Sequence, residues 1–70
     1  MRSPELPSER VERLLRELVS ELQPNDQLPT MRTLAERWGT SQETVSRVVR
    51  KLKAEGLVFT RGRWGVFKSG

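Results

Sequence analysis

Neither cysteine nor histidine occurs among the 70 residues. Their absence excludes disulfides, a zinc finger and thiol or imidazole catalysis, and leaves no recognisable spacing of metal ligands. No apolar run approaches the roughly 18 to 20 residues that span a bilayer. Residues 1–7 lack the hydrophobic segment of a signal peptide, so a cytoplasmic protein with no membrane partner is expected. There is no glycine-rich phosphate loop, the acids are scattered over mixed-charge helical faces, and no nucleophile has a visible base. An enzyme is therefore not expected, nor is any cofactor.

What the chain does have is positive charge, unevenly placed. The formal net charge is +4 and the isoelectric point is near 10.7, which favours a polyanionic partner. Residues 1–29 carry four arginines against six acids, a net of −2. Residues 30–70 carry nine cations against three acids, a net of +6. Any polyanion should therefore meet the second part of the chain. At this length one small domain is expected, with a core close to the minimum that folds alone.

The stretch from Leu28 to Gly56 organises that second part. Met31, Leu34, Ala35 and Trp38 recur at i, i+3, i+4, i+7 and predict one helix with its apolar face inward, Trp38 included. Val45, Val48, Val49 and Leu52 repeat the pattern and predict a second. Pro29 restricts Leu28 to extended geometry and leaves Thr30 as the first helix's cap. Gly39 provides a tight turn. Thr40-Ser41-Gln42-Glu43 fits a capping box between Thr40 and Glu43, while Ser41 caps equally well one residue later. Gly56 suits the left-handed position that closes the second helix. Helix, short turn, helix is the helix-turn-helix arrangement, whose second helix can enter a major groove. Opposite the valine stripe lie Glu43, Arg47, Arg50 and Ala54, flanked by Ser46 and Lys51, with Gln42 and Thr44 beside the helix start. Hydroxyl, amide and guanidinium groups there suit base edges and phosphates. The same residues also describe an ordinary solvated face.

The flanks complete a small domain. Ser8 is the expected cap of a helix reaching about Leu22, where Pro24 prevents continuation. Val11, Leu14, Leu15, Leu18, Val19 and Leu22 make a wide apolar stripe that reads as core support. Pro24-Asn25-Asp26 is a turn by composition, and Gln27-Leu28 is a candidate short strand. Leu57–Thr60 and Gly65–Lys68 are β-branched and aromatic runs around a basic link, and read as a hairpin bearing the cations Arg61, Arg63 and Lys68. For Trp64 at its tip, packing across the hairpin, contact with DNA sugar and contact with an absent partner all stay open. The expected division is a flexible amino terminus at 1–7, the domain at 8–68, and at 69–70 a tail or the start of a linker.

Leu28-Pro29-Thr30-Met31-Arg32-Thr33-Leu34-Ala35-Glu36, then Gly39-Thr40-Ser41, then Leu52-Lys53-Ala54-Glu55-Gly56-Leu57-Val58 resembles the amino-terminal domain of the GntR family of bacterial transcription regulators. The resemblance covers roughly residues 8 to 68. It implies a mainly α fold with a small β-hairpin, the winged helix-turn-helix, binding double-stranded operator DNA, usually as a dimer and usually as a repressor. It carries Arg32, Ser41, Thr44 and Arg47 over as DNA contacts. With the outward polar face and the wing's charge added, Ser41, Gln42, Thr44, Ser46 and Arg47 are expected to read the major groove, and Arg32, Arg50, Arg61 and Arg63 to lie on or near the backbone. A palindromic operator is implied for a full-length dimer. The family's effector-binding and dimerisation domain is not in this sequence, so the isolated domain is expected to be mainly monomeric, whether it is an excised piece or a minimal regulator. This chain has Thr30 and Met31 where the family has Ser-Glu, and Gln42 and Ser46 where it commonly has arginine. Arg61-Gly62-Arg63-Trp64-Gly65 also lacks the first glycine of the family's wing. The competing function is a winged-helix protein-interaction module within a larger assembly.

Overall fold

The computed structural model describes residues 6–62 and 65–70. Helix α1 spans Pro7–Glu21, α2 Met31–Trp38 and α3 Gln42–Ala54, and strands β1 (Val58–Thr60) and β2 (Val66–Lys68) follow. Both α1 and α2 pack against α3, and β1 packs against it as well. The core is wholly apolar: Val11, Leu15, Val19, Leu28, Leu34, Ala35, Val45, Val48, Val49, Leu52, Val58 and Val66 are buried together. All four residues of the α3 stripe are among them, so α3 is the central beam of the domain.

The helix ends follow from particular residues. Thr30 caps α2, its side chain accepting from the Thr33 amide. Gly39 then takes a left-handed φ of 62°, and the Thr40 amide donates back to the Ala35 carbonyl at 2.9 Å. Helix α3 stops in the same way. Gly56 adopts φ 80°, the Gly56 amide donates to Lys53 and the Leu57 amide to Leu52, both at 3.0 Å. These are paired Schellman closures, and a side chain at either glycine would strain the left-handed backbone.

Three expectations need correction. Leu6, not Ser8, precedes α1, and it makes no side-chain capping bond. Pro7 fills the first helical position, where a missing N–H loses no hydrogen bond. Ser41 rather than Thr40 caps α3, accepting from the Thr44 amide at 3.1 Å. The Thr40 amide is already held by Ala35, so no capping box with Glu43 forms. The apolar stripe of α1 is narrower than its sequence suggests. Val11, Leu15 and Val19 are buried and Leu14, Leu18 and Leu22 only half-buried, with Leu18 and Leu22 packed at the edge of the core. Trp38 likewise packs at the edge of the core, half-buried.

The connector and hairpin form one unit. Residues 23–26 make a turn in which the Asp26 amide donates to the Gln23 carbonyl, with Pro24 second and Asn25 third at φ 72°. Proline followed by a positive-φ residue is the type II pattern. Strands β1 and β2 are antiparallel, pairing Val58 with Lys68, Phe59 with Phe67 and Thr60 with Val66. Gln27 adds a single bridge to Phe67, and the Leu28 amide donates to Val66. The short strand expected at Gln27-Leu28 thus exists as a bridge. Val58 and Val66 face the core, while Phe59 and Phe67 stack on the other face with centroids 5.7 Å apart.

Candidate nucleic-acid interface

The cations divide into two sets by what they touch. The first set is engaged inside the domain. Arg10 donates to the Trp38 carbonyl at 2.8 Å, satisfying the end of α2 where a cation also suits the helix dipole. Arg16 grips Glu55 through two parallel bonds, at 3.0 and 2.8 Å, and Glu12 through two more to one oxygen. Lys51 reaches the other oxygen of Glu12 at 2.9 Å. Lys53 donates to the Thr60 hydroxyl, and Lys68 to the Leu22 carbonyl at 2.6 Å. Lys51 and Lys68, read in sequence as a flank of the groove face and a wing cation, are therefore held by acceptors within the domain, Lys51 while still exposed.

The α1–α3 cluster has a clear electrostatic signature. Hydrogen bonds from Lys51 and then Arg16 hold the Glu12 carboxyl below the ordinary carboxylate range. Arg16 does the same for Glu55. The two carboxylates in turn push the Arg16 guanidinium further towards its charged form.

The second set faces outward. The Arg47 side chain is 71% exposed, and its one ion pair among the described residues is with Glu43 of its own helix, at 3.2 Å. The Arg32 side chain is 78% exposed, and its one ion pair among the described residues is with Glu36, at 3.1 Å. Exposed i,i+4 pairs of this kind are weak enough to be exchanged for a stronger anion. Arg50 and Arg61 are exposed, and their side chains make no hydrogen bond or ion pair to another described residue. Arg37, which the sequence did not single out, is exposed in the last turn of α2 under the same conditions, a placement the helix dipole alone explains.

Around these arginines stand the polar residues of the α3 start. Gln42 is the exposed first residue of the helix, and Thr44 and Ser46 are half-buried on its two flanks. The Ser41 and Thr44 hydroxyls share a hydrogen bond of 2.9 Å besides the cap. Arg61 begins the hairpin tip, its amide donating to the Gly65 carbonyl at 3.1 Å. Arg63 and Trp64 lie outside the described residues. Among the described residues no acidic side chains converge as a metal site, and no helix is long and apolar enough to cross a membrane.

A central helix with a polar, cationic outer face, a supporting helix across a glycine turn and a hairpin beside it define a winged helix-turn-helix domain. The sequence profile of the bacterial regulatory proteins, gntR family, matches residues 7–67, and the chain belongs to that family. The HTH-type transcriptional regulator Rv1152 of Mycobacterium tuberculosis is 46% identical over 48 residues, which cover 69% of this chain and 40% of that protein. The chain thus spans about two fifths of the length of the curated relative it matches. The crystal structure of PhnF from Mycobacterium smegmatis superposes with a TM-score of 0.81 at 28% identity, covering 86% of this chain and 26% of that one. AraR(DBD), solved in complex with operator ORX1, gives 0.85 at 21% identity over 99% of this chain and 92% of its own, a likeness of fold.

Proposed function

We propose that this chain binds duplex DNA sequence-specifically for transcriptional control, as a repressor. Helix α3 enters the major groove and the hairpin lies along the flanking backbone as a wing. The observation that carries this reading is the sorting of cations. Five basic side chains that close the fold are held by internal acceptors, whereas Arg32, Arg47, Arg50 and Arg61 are exposed with nothing stronger than an exposed glutamate beside them. A fold of this kind is seen on operators ORX1 and ORE1 in AraR(DBD).

In this reading Gln42, Thr44, Ser46 and Arg47 face base edges. Ser41 reads the groove with them besides making its capping bond, and Arg32, Arg50, Arg61 and Arg63 neutralise phosphates. Residues 8–68 act as the binding unit, with Pro7 opening α1 and the Ser69 amide donating to the Leu57 carbonyl. The isolated chain is mainly monomeric, and a full-length dimer reads a palindromic operator in which each half-site gains from the other's effective concentration.

Selection of bound duplexes from a random pool, followed by titration at several salt concentrations, tests this. An enriched half-site should emerge, and log affinity should fall against log salt by roughly 0.9 for each phosphate contact. Failure to enrich any sequence, together with salt-independent binding, would overturn the reading in favour of a protein-docking role.

A further inference from the structure

The α3 start contains one charged side chain that neither the fold nor the proposed contacts use. Glu43 is the second residue of α3, its side chain 82% exposed, and among the described residues that side chain is bonded only to Arg47. The capping role its spacing suggests is closed to it, because the Thr40 amide donates to Ala35 and Ser41 caps the helix. A carboxylate on a face that meets DNA repels phosphates, and one exposed arginine bond screens it only in part, so an acid there is unfavourable unless it does something else. A carboxylate offers acceptors only, and the major-groove partners for an acceptor are the exocyclic amines of cytosine and adenine. The bond to Arg47 uses a single Nη2–Oε1 contact and leaves other guanidinium donors free to meet a guanine edge. Donor and acceptor stand one turn apart on the exposed side of α3, at the end whose residues reach bases when such a helix docks.

We infer that Glu43 is a specificity-determining residue that accepts a hydrogen bond from a cytosine N4 amine, next to the guanine read by Arg47. This rests on the DNA-binding reading above. The same carboxylate lowers affinity for duplex of the wrong sequence, where no amine faces it and phosphate repulsion remains. An acid in the first turn also suits the helix dipole, but that contribution alters stability and carries no base preference.

The test is selection from a random duplex pool with the wild-type chain, Glu43→Ala and Glu43→Gln, each checked for folding by circular dichroism. The wild type should enrich cytosine at one position. Glu43→Ala should lose that preference alone, the ratio of specific to random affinity falling on the order of tenfold. Glu43→Gln should move the position towards adenine, whose N6 and N7 match a carboxamide. Equal strengthening of specific and random binding in Glu43→Ala, with every base preference kept, would overturn the inference and leave the DNA-binding reading intact. A wild-type chain that enriches no duplex would overturn both.

Discussion

Arg16 and Arg47 stand four residues after a glutamate in their own helices, Glu12 in α1 and Glu43 in α3, and in sequence the two pairs are equivalent. In the fold they differ in everything around them. The α1 pair faces α3, and Glu55 and Lys51 extend it into a four-residue cluster in which Arg16 keeps 38% of its side chain exposed. The α3 pair faces solvent with a single bond of 3.2 Å, and both partners are more than two-thirds exposed. An i,i+4 acid–base pair therefore says nothing by itself about whether its arginine serves the fold or a partner. What decides is whether a neighbouring element brings a second acceptor.

The comparison predicts that stability and binding are separable along this division. The largest effect belongs to the core beneath the α1 cluster. Leu15→Ala, at a fully buried position, should cost about 2–5 kcal/mol, a large fraction of what a domain this size can have. Chemical denaturation should show a much lower midpoint, and duplex affinity should fall only as the folded fraction does. Next comes Arg47→Ala, which should lose about 1–3 kcal/mol on the selected site and relax preference at one position. Its unfolding midpoint should hardly move, because exposed pairs contribute a few tenths of a kcal/mol. An unfolding shift as large as that of Leu15→Ala would erase the distinction.

The wing supplies a smaller effect. Arg61→Ala should flatten the salt dependence of affinity by about 0.9 in log–log slope while keeping the preferred sequence. Adding Arg63→Ala should nearly double the change, and an altered base preference would instead make the tip a minor-groove reader. The smallest effect is the mirror image of Arg47→Ala. Arg16→Met should lower the melting temperature modestly and leave duplex affinity unchanged. Its pH dependence sharpens the point. Glu12 and Glu55 have depressed folded values, so the stability they add is complete above the ordinary carboxylate value of 4.5 and is lost as pH falls through the folded values. Melting of the wild type should accordingly be steeper than that of Arg16→Met below about pH 5.

Much of this architecture is legible in sequence because it is locally encoded. The 3.6-residue periodicity marks the inward faces of α2 and α3, Thr30 and the two glycines set helix ends, and paired β-branched runs set the hairpin. The choice between Thr40 and Ser41 as cap is not legible, since it turns on the Ala35 carbonyl reaching back to the Thr40 amide. Nor are the internal bonds of Lys51 and Lys68, whose acceptors Glu12 and Leu22 are 39 and 46 residues away in the chain. The candidate DNA residues are readable as polar and off the core stripe, though Thr44 and Ser46 are half-buried. Which of them sit beside a carboxylate, and which stand open, emerges only from the packed helices.

The contacts of the α1–α3 cluster also bear on the order of assembly. Arg16 meets Glu55 across 39 residues of chain, as Lys51 meets Glu12, whereas the caps and closures of α2 and α3 span only a few. Long loops must close before such bonds can form, and local closures carry little of that entropy. The α2–turn–α3 segment can thus gather early around its own stop signals, with the clasp onto α1 fastening last. Loss of the clasp should therefore appear almost entirely as faster unfolding, the folding rate staying as it was.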